Sequence, residues 1–112
     1  VAAVGVEEAL TEGLTFTAEL WRWPARDAWW FVTVPVELGE EIRFTSGPPA
    51  GFGSVRVEAT VGATTWRTSV FPDAGRGTYV LPVKREVRVA EGLEAGDAVS
   101  VTLLLIGRRD GR

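Results

Sequence analysis

The chain has 112 residues, 46% of them hydrophobic, and a formal charge of −3; that length supports one hydrophobic core and is too short for two. It contains no cysteine and no histidine, which excludes disulfides, thiolate nucleophiles, Cys-based zinc sites, His-assisted nucleophilic catalysis and His-ligated metals. The slightly acidic balance argues against a protein that coats nucleic acid, and apolar residues spread along the whole length argue against intrinsic disorder.

Residues 1–13 (V-A-A-V-G-V-E-E-A-L-T-E-G) read as an N-terminal extension with a short helix around Glu7 to Leu10. They carry acids early and lack a basic start, unlike a secretory signal, so a soluble, cytoplasmic protein is expected. The first clear strand follows: Leu14, Phe16, Ala18 and Leu20 form one face, with Thr15, Thr17, Glu19 and Trp21 on the other. Trp29 to Val34 (W-W-F-V-T-V) is apolar on both faces and rich in β-formers, which predicts a strand covered on both sides and ended by Pro35. V-E-L-G-E-E-I-R then sets Leu38 and Ile42 four apart, the spacing of a short helix with one inward stripe.

Ser54 to Phe71 reads as a β-hairpin whose register can be derived. A two-residue Gly62-Ala63 turn, with glycine at the first central position of a type II′ turn, pairs Val61 with Thr64, Ala59 with Trp66 and Val57 with Thr68. It also sets Glu58 beside Arg67 and Arg56 beside Ser69. A three-residue turn would mix the two faces. After P-D-A-G-R-G come a strand T-Y-V-L, Pro82, and a second short helix in which Val83 and Val87 repeat the spacing of Leu38 and Ile42. E-G-L-E-A-G-D turns into the last strand, Ala98 to Ile106, whose apolar run is far below the roughly 20 residues of a membrane helix. Residues 107–112 read as a tail.

Two halves, about 14–61 and 64–106, share ordered landmarks: Pro24 with Pro72, Pro35 with Pro82, E-I-R at Arg43 with E-V-R at Arg88, and Asp27 with Asp73 in the intervening loops. The expected fold is mainly β: a six-stranded barrel made from a duplicated strand–strand–helix–strand unit, with two short helices. Closure removes sheet edges that invite aggregation. The basic residues are eleven arginines and one lysine, and asparagine, glutamine and methionine are absent. That scarcity of thermolabile residues fits a heat-adapted source, and the richness in Ala, Gly, Val and Arg fits a GC-rich genome.

The second unit, V-L-P-V-K-R-E-V-R-V-A-E-G-L-E-A-G-D-A-V-S-V, resembles the swapped-hairpin class of transcription regulators and antitoxins (AbrB/MazE), in which two chains interlock into a barrel. The first unit departs from it, with G-P-P-A-G-F-G-S in place of the G-D turn. From about Leu14 to Leu105 the chain resembles more closely a bacterial family, Domain of Unknown Function 1905. The carrying motifs are F-T-A-E-L-W, W-W-F-V-T-V-P, G-F-G-S-V-R-V, T-T-W-R-T-S-V-F-P, Y-V-L-P-V-K and E-G-L-E-A-G-D-A-V-S-V. That resemblance implies a double-split β-barrel and brings neither an established activity nor accepted catalytic residues. Some members carry an added C-terminal domain associated with bacteriocin protection.

Candidate ligand-binding residues are Arg56, Arg67, Ser69 and Lys84 as an anion-binding set, and Trp21 and Trp30 as exposed aromatics able to stack a ligand or partner. Trp29 and Trp66 are expected in the core. The set competes with a plainer reading, a solvated face neutralised by Glu58. No catalytic constellation, metal site or cofactor motif stands out: Gly51-Phe52-Gly53-Ser54 fits neither a phosphate loop nor a dinucleotide fingerprint, and Glu37, Glu40 and Glu41 lie on a solvent face. A non-enzymatic module for a protein or small-molecule partner is favoured. A nucleic-acid binder and an enzyme of unrecognised type are the alternatives. Residues 61–112 carry net +2 against −5 for residues 1–60, which keeps phosphate contacts open.

Overall fold

The period-2 segments form six antiparallel strands, β1 (Leu14–Arg22), β2 (Trp30–Thr33), β3 (Val55–Val61), β4 (Thr64–Asp73), β5 (Thr78–Pro82) and β6 (Ala98–Leu105). They close into a barrel in the order β1-β2-β5-β4-β3-β6, with helices α1 (Val36–Ser46) and α2 (Arg85–Glu91). The structure is a computed structural model that describes residues 13–25, 29–46 and 53–106. The helix expected near Glu7 to Leu10 and the tail from residue 107 lie outside the described residues.

The barrel interior takes the faces that the alternation assigned to it. Phe16 and Leu20 of β1, Val55, Val57 and Ala59 of β3, and Val99, Val101 and Leu103 of β6 are buried together. Ile42 and Val87 close the core from α1 and α2. Each fully buried leucine or valine here contributes about 1.5–3 kcal/mol relative to an exposed one. The β3–β4 hairpin has the derived register throughout, from Val61↔Thr64 to Arg56↔Ser69. Gly62 adopts φ 59° while Ala63 keeps a negative φ, the signs of a type II′ turn.

Three local expectations need correction. In β2 the inward residues are Val32 and, packed against the core, Trp30, whereas Trp29 is 43% exposed. Pairing with β1 decides this: Leu20 lies opposite Val32 and Arg22 opposite Trp30, so Trp30 shares the inner face. Val83 is buried but precedes α2, because its N–H donates to Trp30 O at 2.8 Å and the helix begins only at Arg85. Pro24 falls in the turn after β1, while Pro72 lies inside β4 opposite Tyr79, so these two prolines do not correspond.

The connectivity is unchanged when β1, β2, α1 and β3 are exchanged for β4, β5, α2 and β6. If Pro35 is set on Pro82, the β1·β2 and β4·β5 ladders place Leu20 on Pro72. α2 ends in a Schellman turn at Gly92 (φ 64°), with Leu93 N–H donating to Arg88 O at 2.9 Å and Gly92 N–H to Val89 O at 3.3 Å.

Candidate functional site

Two of the strands divide their pairing between neighbours along their length, and beside β4 this leaves a groove in the barrel wall. β1 pairs with β6 over Leu14 to Glu19 and then with β2 from Leu20. β4 pairs with β3 up to Val70 and then with β5 from Phe71. The β4·β5 ladder, Phe71↔Val80, would next bring Ser69 to Pro82 and Arg67 to Lys84. It does not continue. Pro82 has no N–H to donate to a ladder, and the Val83 N–H turns to β2.

The resulting gap is a groove of about 270 Å³ lined by Trp29, Trp30, Trp66, Arg67, Thr68, Pro82, Val83 and Lys84. Arg67 and Lys84 thus approach from opposite lips, and no carboxylate is among the lining residues. Trp30 and Trp66, both packed into the core, reach the groove from inside the wall. Trp30 is also stacked by Arg88, whose guanidinium carbon lies 4.4 Å from the ring centroid and whose Nε donates to Val83 O at 3.2 Å. Partial burial, followed by the neighbouring charge of Arg85, lowers the Arg88 pKa from its ordinary value, against an opposing effect of Glu86. Arg67 meets the predicted Glu58 only loosely, Nε to Oε2 3.9 Å, with its side chain 69% exposed.

The residues expected to bind an anion therefore divide. Arg67, Lys84 and Trp30 share one groove, whereas Arg56 and Ser69 face each other across the β3–β4 ladder and do not line it. Lys84 holds the N-cap position of α2 without a side-chain cap bond. The first half offers no counterpart: Pro35 leads directly into α1 at Val36, with no intervening pair like Val83 and Lys84.

Trp21 belongs to a second groove, of about 450 Å³, lined by Trp21, Trp23, Pro24, Phe31, Asp73, Arg76 and Val80. Its indole N–H donates to Thr33 Oγ1 at 2.9 Å, and its ring lies 5.1 Å from that of Phe31. Phe31 continues to Trp29 at 5.9 Å, and Trp29 meets Trp23 edge-on at 6.3 Å. This aromatic row covers the outer face of β1's end and β2. The outer wall over β1, β6, β3 and β4 carries hydroxyl pairs instead, Thr15 with Thr102, Thr17 with Ser100, and Thr60 with Thr65. Arg76 and its part in this groove escaped the sequence reading. The only signal was an aspartate and an arginine three apart in P-D-A-G-R-G.

Among the described residues, no group of three or more potential metal-ligating side chains is present, and no helix is long and apolar enough to cross a membrane. No curated protein matches the chain. The family described as "Domain of unknown function (DUF1905)" matches residues 16–103, the span that forms nearly the whole barrel. The chain belongs to that family.

Proposed function

We propose that the chain is a non-catalytic binding domain whose ligand is a small aromatic anion seated in the gap between β4 and β5. One observation carries the reading: Arg67 and Lys84 oppose each other across a groove also lined by Trp29, Trp30 and Trp66. Two like charges brought together repel, and an anion between them relieves that repulsion while gaining charge-assisted hydrogen bonds. Trp29, Trp30 and Trp66 supply flat apolar surface for a ring. Few fixed polar groups on an aromatic lining is the pattern of a site that binds and orients, and no paired acid and base stands beside it. The family itself has no assigned activity.

The two halves are proposed to descend from one duplicated unit, on the strength of the exchangeable connectivity. Only the second half then acquired the paired cations.

The test is a fluorescence titration with 8-anilinonaphthalene-1-sulfonate, with the uncharged phenylnaphthylamine as its control. Saturable binding is expected for the sulfonate, weakened about three- to tenfold by Arg67→Ala or Lys84→Ala. Unchanged affinity in the double variant refutes the site. A labelled DNA duplex is titrated in parallel at low salt. Saturable binding of the duplex that weakens steeply with added salt would replace the small-anion reading with a nucleic-acid one.

A further inference from the structure

The second groove already contains a ligand-like group, and it comes from the chain itself. In the turn joining β4 to β5, Arg76 lays its guanidinium over Trp21, 4.1 Å from the ring centroid. Its Nη1 donates to Asp73 Oδ2 at 2.8 Å, and its backbone N–H reaches Asp73 Oδ1 at 3.3 Å. The platform beneath it is fixed in advance: the hydrogen bond to Thr33 sets the Trp21 ring angle, and Phe31 supports it. A carboxylate at the rim and an aromatic face below make a receptor for a flat cation.

Nevertheless, Arg76 is held only at the surface. Its side chain is 44% exposed, and the groove of about 450 Å³ extends past it along Trp23 and Pro24. That is far more room than one guanidinium fills.

We propose that this groove binds an arginine side chain presented by a partner polypeptide, and that Arg76 is an internal stand-in which the incoming arginine displaces. The guest guanidinium takes the place over Trp21 and the carboxylate of Asp73. Residues flanking it in the partner lie against Trp23 and Pro24. Among the described residues, Asp73 is the one acidic residue lining this groove and gives an incoming guanidinium its partner. The site shares no residue with the groove of Arg67 and Lys84, so it stands or falls separately from the anion reading.

The experiment uses the whole protein and the tripeptide acetyl-Gly-Arg-Gly-amide, followed by tryptophan fluorescence. Arg76→Ala vacates the site and is expected to bind the peptide about tenfold more tightly than the unaltered chain. Asp73→Asn in the Arg76→Ala background is expected to remove that gain, and Glu40→Gln, at an exposed position of α1, to leave it in place. Arg76→Gln provides a second vacated variant in case the alanine form folds poorly, as judged by its thermal melt. Equal peptide affinity with and without Arg76 overturns the proposal. So does a gain that survives Asp73→Asn. If methylguanidinium binds the vacated site as tightly as the peptide, the polypeptide source is overturned.

Discussion

Replacing Glu91 with alanine tests how α2 is fixed over the barrel and therefore how the lip carrying Lys84 is held. The Glu91 carboxylate reaches from the end of α2 to the β3–β4 turn, where Oε2 accepts from Thr64 Oγ1 at 2.6 Å and from the Ala63 N–H at 3.2 Å. Gly62 lies against the same carboxylate: a Cβ there would meet Oε1 far inside contact distance and Cδ at 2.8 Å. A hydrogen bond to a charged acceptor contributes about 1.5–3 kcal/mol when shielded, and the Thr64 bond is only part-buried and the Ala63 bond exposed. The expected loss for Glu91→Ala is therefore about 1–2 kcal/mol, a fall in Tm of roughly 5–10 °C for a domain of this size. The assay is urea unfolding of the single variants Glu91→Ala and Thr64→Ala and of the double variant. A coupling of about 1 kcal/mol is expected for two groups in direct contact. A coupling within about 0.3 kcal/mol of zero, the range of independent sites, refutes the clamp.

Gly39→Ala is expected to destabilise the protein by about 1–3 kcal/mol in thermal or urea melts, because a Cβ would drive into Thr78 Oγ1 and lie 3.1 Å from Thr78 Cβ. Glu58→Gln is expected to change stability by less than about 0.5 kcal/mol in the same assay, since its partner Arg67 is 3.9 Å away and largely exposed. Leu81→Ala, emptying a fully buried position in β5, is expected to cost about 2–5 kcal/mol, and a loss under 1 kcal/mol would contradict the core assignment.

Legibility in the sequence followed how local each constraint is. The β3–β4 hairpin could be derived residue by residue because Gly62 and Ala63 leave room for only one two-residue turn, and that turn fixes every pair up to Arg56 and Ser69. The face of β1 was legible because threonines and a glutamate mark its outer side. Trp29 and Trp30 were not separable, since W-W-F-V-T-V is apolar at both parities and only the long-range ladder with β1 selects Trp30 as the inward one. The start of α2 was misplaced for a related reason. A valine four before Val87 satisfies the helical period, but Val83 is buried by pairing with Trp30 and not by helix packing.

The groove of Arg67 and Lys84 sits at the boundary of what the chain discloses. Each cation was visible, and Arg67 was placed correctly on the outward side of its hairpin. Their opposition depends on the β4·β5 register, which the loop P-D-A-G-R-G leaves open, and on the failure of that ladder at Pro82. At the proline β5 no longer pairs with β4, while its other edge still pairs with β2 and the Val83 N–H donates to Trp30 O. The wall is open on the β4 side, and Trp30 lines the opening with Trp66. The residue that ends β5 therefore also bounds the aromatic gap, with Arg67 and Lys84 at its lips.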